Sequence, residues 1–414
     1  MTRATRRLVC SLALAAGLSA SAVAETAPTE CDRLAASPVD PDRLAPPVEF
    51  DDMDGAAAEV ACRAALAGAP GTPRLVFQLG RALDRQDRID EARAVYQQAI
   101  DAGSLPAMLA LGKLIELGLG SPVDYAAAAA LYRTALDRGL KFAAGDLAYL
   151  HQEGQGFAED KTEAARLYAI AVEAGDAWAK VNLGFLLENG NGVAKDVARA
   201  TDLYRQAAEQ GNAIGQYNIG LMYAVGNGVP KDDAVALRWL KLSADQEYAP
   251  AYLALGRQHL HADPATRDEE EAERNFLLAF LSGEDDSSWR AANELAWMWA
   301  TTGERLEEAA EMIAGAMERA PADDAERPGV IDTAAWVAHR QGRNEDALGL
   351  IRQAIALKPN HAPYHDRLGD IYAALGRAAE ARAEWQAAVD MVPPAEALDP
   401  DWDRDAVLAK LKGQ

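Results

Sequence analysis

The side chains of this 414-residue chain with the capacity for chemistry are few and scattered. His259 and His261, with Asp263 two residues on, could offer ligands to a transition metal, and His361 and His365 stand one helical turn apart, where two imidazoles share a face. Both sets lack a convincing third ligand. His259 also falls 36 residues after Tyr223, in a repeating column, which makes a helix-end residue its default role. Asp399, Asp401, Asp403 and Asp405 alternate as a calcium loop would, but Arg404 stands where the sharp turn needs glycine and Lys410 where a bidentate acid is required. No metal site is expected. Ser-x-x-Lys, Gly-x-Ser-x-Gly, His-Glu-x-x-His and P-loop motifs are missing from the sequence, so neither a catalytic residue nor a cofactor is foreseen.

Cysteine chemistry depends on compartment, and the first residues address that. Arg3, Arg6 and Arg7 form a basic start, Leu8 to Ala20 form an apolar stretch, and Ala22-Val23-Ala24 precedes Glu25 as a small-residue cleavage site. Residues 1–24 read as a secretory signal, removed on export to the periplasm or beyond. The apolar stretch falls short of the ~20 residues that a spanning helix needs, so no stable membrane anchor is expected after cleavage. Cys31 and Cys62 then remain, and in an oxidising compartment they most simply pair with each other. Two buried free thiols are the other reading. Neither makes them catalytic, because no histidine precedes His151 to activate a thiol locally.

Lys+Arg number 41 against 64 Asp+Glu, a formal charge of −23, and the first 24 residues remove three arginines and no acid. Nucleic acid is set aside as a partner, because phosphate recognition needs a basic face.

The elements that must position any site follow from a fixed step. Gly103, Gly139, Gly175 and Gly211 are 36 residues apart, and Leu111-Gly112 recurs as Leu147-Ala148, Leu183-Gly184, Ile219-Gly220 and Leu255-Gly256. Gly-x-Gly follows the first four of these, at Gly118/Gly120, Gly154/Gly156, Gly190/Gly192 and Gly226/Gly228. Asp124, Asp160, Asp196, Asp232 and Asp268 keep the same phase. The unit is a helix, a turn and a helix. The small residue lets a helix approach closely, Gly-x-Gly supplies left-handed backbone, and the aspartate caps the second helix. Tyr132, Tyr168, Tyr204, Leu240 and Phe276 mark the buried face of that second helix. Toward the C-terminus the step shortens: Gly342 to Gly376, Ala347 to Ala381 and Pro359 to Pro393 are each 34 apart.

These spacings carry a resemblance. Residues 104–283 look like five tandem Sel-one-like repeats, and 322–393 resemble tetratricopeptide repeats, with a degenerate unit at 284–321 completing 284–393; residues 72–103 form a further tetratricopeptide-like pair. Residues 25–71 are assigned to an N-terminal extension and capping helix holding the cysteine pair, and 394–414 to a closing helix through Trp402, Val407, Leu408 and Leu411. The segment from Cys31-Asp32-Arg33-Leu34-Ala35 through Ala61-Cys62-Arg63-Ala64 resembles a lead-in of exported alphaproteobacterial proteins of this type. The resemblance implies an all-α, right-handed α-solenoid of helix-turn-helix repeats, acting without catalysis as a binding scaffold for a protein or peptide partner in the cell envelope. A peptidoglycan- or β-lactam-directed binder or hydrolase is the alternative, as in some secreted relatives, from which this chain departs by having no cysteine inside its repeats.

In such arrays the first helix of each pair lines the concave side. Trp178, Asn182 and Phe185 follow i, i+4, i+7, and Asn218 repeats the position of Asn182; Phe142, Tyr149 and Tyr217 are neighbours in the candidate groove. Asparagine in that column resembles the residues with which tetratricopeptide domains clamp extended peptide backbones. The accompanying basic clamp is largely missing, with only Lys113 and Arg257 in related positions. Packing between repeats is the competing role for Trp178 and Phe185.

Overall fold

The structure is a computed structural model that describes residues 27–261, 267–282, 286–391 and 402–413. The signal segment 1–24, Asp263, Pro393, Asp399 and Asp401 lie outside the described residues.

Apolar residues at helical spacing, capped by short polar side chains, form helices in succession. The first two are α1 (Glu30–Ala35) and α2 (Gly55–Gly68). Pairs follow: α3 (Pro73–Asp84) with α4 (Ile89–Asp101) and α5 (Pro106–Glu116) with α6 (Tyr125–Asp137); next in the chain are α7 (Ala143–Glu153) and α8 (Lys161–Glu173), and then α9 (Ala177–Asn189) with α10 (Val197–Glu209). Then come α11 (Ala213–Val225) with α12 (Asp233–Ala244), α13 (Ala249–Leu260) with α14 (Glu269–Ser282), and α15 (Asp286–Thr302) with α16 (Leu306–Arg319). The last are α17 (Arg327–Arg340) with α18 (Asn344–Leu357), α19 (Ala362–Ala374) with α20 (Ala378–Met391), and α21 (Arg404–Lys412). There is no strand among the described residues, and the all-α helical-pair solenoid expected from the spacing is the observed fold.

The described residues divide into two compact units, one of those up to 150 with 155–157 and one of 151–154 with those from 158 onward. In the first, α1 packs on α2 and α3, and the cysteines at 31 and 62 are bonded to each other. Fully buried Asp32 accepts hydrogen bonds from Arg74 Nε at 2.6 Å and Gln78 Nε2 at 3.2 Å. Arg81, also buried, donates to the backbone carbonyls of Ala35 and Val48 at 2.9 and 3.0 Å. The segment between α1 and α2 is thereby laid along α3 as a strap.

Within the second unit each helix packs on its neighbours, and α9, α11, α13, α15, α17 and α19 also touch in succession. No two second helices pack to a comparable extent among the described residues. The first helices therefore line the inner face of this unit.

The columns of the sequence take physical form inside each pair. A Cβ added to Gly80, Gly112, Gly184, Gly220, Gly256 or Gly369 would lie between 2.4 and 2.8 Å from the side chain of Tyr96, Tyr132, Tyr204, Leu240, Phe276 or Trp385 respectively. The small residue is thus the seat of the large one on the partner helix. Each aspartate of the fixed column caps the helix after it: Asp124, Asp160, Asp196, Asp232 and Asp268 accept from backbone N–H groups of Ala127, Glu163, Arg199, Val235 and Glu271 at 2.9–3.0 Å. Past α20, α21 is held by Lys410 Nζ, at 2.8 Å from Asp366 and 2.7 Å from Asp370, and by buried Trp402 and Val407.

Candidate functional site

Of the groove residues named from the sequence, Phe142 and Tyr149 belong to the first unit and the other five to the second. Phe142 is half-buried in the turn that enters α7, and Tyr149 is half-buried within that helix. Trp178, Asn182 and Phe185 all lie on α9, as their spacing requires. Trp178 is half-buried and meets the ring of Tyr168 edge-on, with centroids 5.8 Å apart, so part of its surface packs within the array. Asn182 is half-buried and donates one amide hydrogen to the carbonyl of Trp178 at 2.9 Å, which holds its side chain along the helix. Phe185 is 50% exposed, more than a core position allows.

Tyr217 and Asn218 are half-buried on α11, beside α9. The Tyr217 ring meets Tyr248 edge-on at 5.4 Å, and burial raises its phenol above the usual range. Tyr217 also opens onto a cleft of about 630 Å³ shared with Arg257, Arg290 and Glu326.

Past Tyr217 and Arg257, which the sequence singled out, that cleft opens onto a stretch of inner face that the sequence reading missed. Arg257 on α13 pairs with Glu294 at 2.8 Å and with Glu326 at 3.3 Å; burial pulls its basicity down, but the two carboxylates more than offset this and leave it raised. Arg290 bonds Asp324 at 2.9 Å. Further along, Trp297 and Trp336 sit 6.4 Å apart, and Arg367 lies 4.4 Å over Trp297 while bonding Asp332 at 2.6 Å. The signal was available: Arg290, Glu294 and Trp297 repeat on α15 the i, i+4, i+7 spacing of Trp178, Asn182 and Phe185 on α9.

The histidines find structural employment. His361 is the residue before α19 and contacts the Tyr364 ring at 4.2 Å, so the pair does not share one helix face. His365 is engaged at both ring nitrogens, by Glu384 at 2.7 Å and the Pro359 carbonyl at 3.0 Å. The Glu384 carboxylate raises its basicity above the usual value, against some opposition from burial. No group of three or more His, Cys, Asp or Glu that could hold a metal ion occurs among the described residues.

Comparison with known proteins identifies the repeats. The profile of the Sel1 repeat matches residues 105–140, 142–176, 179–212 and 213–248, and that of the tetratricopeptide repeat matches 73–102. The crystal structure of a protective antigen present in uropathogenic Escherichia coli strains, displaying an SLR fold, superimposes with a TM-score of 0.62 at 22% identity, covering 87% of this chain and 77% of the other. A Sel1 repeat protein from Oxalobacter formigenes gives a TM-score of 0.53 at 27% identity, covering 59% of this chain and 100% of the other. No curated protein matches the sequence. The chain therefore carries four Sel1 repeats between residues 105 and 248, with a tetratricopeptide repeat at 73–102 ahead of them.

Proposed function

We propose that the protein is a non-enzymatic scaffold, exported to the periplasm, that binds a protein or peptide partner along the first helices of its repeats in a cell-envelope process. A Sel1/tetratricopeptide array is an architecture typical of protein–protein interaction scaffolds. Export is supported by the Cys31–Cys62 bridge, and no described helix is long and apolar enough to cross a membrane. In the same reading 249–283 is a fifth Sel1-like repeat, 284–393 continues as tetratricopeptide repeats, and α21 closes the array.

The observation that carries this reading is the aligned first-helix face with half-buried polar and aromatic side chains, Trp178, Asn182, Tyr217 and Asn218, on consecutive first helices. An asparagine amide offers a donor and an acceptor to an extended backbone. The test is Asn182→Ala with Asn218→Ala, applied to a partner isolated by affinity capture from envelope extract. Binding should weaken by at least ~1 kcal/mol while the melting temperature barely moves. Normal affinity in the double variant would sink the groove assignment, and lost affinity with a lowered melting temperature would return both residues to a packing role.

A further inference from the structure

The strap between α1 and α2 does more than cover α3. With α3, α5 and the start of α7 it encloses a cleft of about 480 Å³ in the first unit. One wall is apolar and open to solvent: Phe50 on the strap is 38% exposed, and Leu117 and Leu119 after α5 are 55% and 39% exposed. Phe77, Leu109 and Leu114 continue it inward. Large apolar side chains left open in one cleft are the ordinary mark of a docking surface.

The charged groups of the lining select the occupant. Three acids, Glu49, Asp84 and Asp146, face two bases, Arg81 and Lys113. Both bases are already engaged: Arg81 by the carbonyls of Ala35 and Val48, and Lys113 by the buried Glu116 carboxylate at 2.8 Å and, at 4.0 Å, by Asp146, which leaves Glu49 and Asp84 as the acids for an incoming cation. At the inner end, Asp84 receives the Tyr96 hydroxyl at 3.0 Å. Burial nevertheless raises the Asp84 carboxyl above its usual range, although Tyr96 and Arg81 work in the other direction. A carboxylate so placed gains from an added cation. The formal charge of −23 for the whole chain draws a basic partner in the same sense.

We propose that this cleft docks an extended segment of a partner protein that sets a leucine, phenylalanine or tryptophan against Phe50 and Leu117 and an adjacent lysine or arginine against Asp84 and Glu49. It rests on the reading of the array as a protein-binding scaffold, and it names a second seat with its own chemistry. Arg81 is a positioning residue, since it fixes the strap that carries Phe50.

A phage-displayed random peptide library, panned on the full chain, provides the test. Selected peptides should carry Lys or Arg beside a large apolar residue. Their synthetic, fluorescein-labelled copies should lose about tenfold or more in affinity, by anisotropy, on Asp84→Asn and on Phe50→Ala with Leu117→Ala. The latter pair is exposed, so the fold should survive, as checked by circular dichroism. The same peptides should keep their affinity for Asn182→Ala with Asn218→Ala. Selection of acidic or uncharged peptides, or binding indifferent to Asp84→Asn, would overturn the assignment. So would a dimer abolished by Phe50→Ala with Leu117→Ala, which would make a second copy the occupant. Peptides that depend on the asparagine pair alone would overturn the cleft and leave the proposed function standing, whereas failure to select any peptide would count against both.

Discussion

A phenol buried against a carboxylate leaves little room for substitution on either side. Tyr132 donates to Glu116 Oε2 at 2.7 Å and Tyr204 to Glu188 at 3.0 Å; burial above all pushes both phenols above their usual range, helped by Asp146 and then Glu116 at Tyr132 and by Glu188 at Tyr204. Each acid lies four residues after the small residue on which the ring rests, Gly112 or Gly184. Asp84 after Gly80 serves Tyr96 in the same way. Where these two seats hold no phenol the acid is gone: Ala224 accompanies Leu240, and Leu260 accompanies Phe276. This coupling was present in the sequence but escaped notice, because the small and aromatic columns were read separately. Tyr132→Phe should cost about 1–2 kcal/mol in urea unfolding, since Glu116, almost fully buried, loses a donor. Adding Glu116→Leu, the combination already used by Leu260 and Phe276, should recover part of that loss. A double variant less stable than the single would refute the coupling. His365 gives a pH signature of opposite origin. Its folded basicity lies above the ordinary ~6.5, so its contribution is full below that pH and is lost as pH rises through the folded value. The melting temperature of the native chain should therefore fall more steeply than that of Glu384→Gln as pH rises above ~6.5. Parallel curves would show that the pair contributes nothing.

At the level of the helix pair, the turns decide the register. Gly190 ends α9 in left-handed backbone at φ 73°, and Gly192 follows at φ 71°. A Cβ on Gly192 would meet the Lys161 carbonyl carbon at 2.4 Å and its oxygen at 2.6 Å, which is the backbone at the start of α8. A Cβ on Gly228 would likewise meet α10, at the side chains of Thr201 and Val197, 2.4 and 3.0 Å away, and at the Val197 carbonyl, 3.2 Å away. Each loop is thus seated on the second helix of the preceding pair. Gly192→Ala should cost roughly 2–4 kcal/mol, combining left-handed strain with a clash that backbone cannot avoid. Gly349, exposed within α18 with open space around its Cα, is the control: Gly349→Ala should stabilise by about 0.5–1 kcal/mol. Equal effects at the two sites, in thermal or urea unfolding, would show that the seat is not tight. The turns, caps and ring seats were legible because steric necessity repeats them every 36 residues. The inner face was only partly legible, since Asn182 and Asn218 repeat on it but the column of Trp178, Ile214, Pro250 and Arg290 holds a different residue each time.

At the scale of the molecule, the helices within each unit pack on their near neighbours in sequence, so damage should stay local. The Cys31–Cys62 bridge closes a separation of 31 residues, worth about 3–4 kcal/mol in the chain-entropy account. Replacing both cysteines by serine should lower amide protection over residues 27–84 in hydrogen exchange and leave 250–391 unchanged. A uniform loss along the chain would show cooperativity that the packing does not suggest. The loop seats carry a further consequence, for the gene as much as for the fold. Because the seat for one loop is built like the seat for the next, excising one 36-residue period, such as 177–212, brings the following loop to a matching surface. Unequal recombination between copies would then shorten or lengthen the array by whole periods while leaving every joint intact, which makes the span of the first-helix face something heredity can adjust in steps.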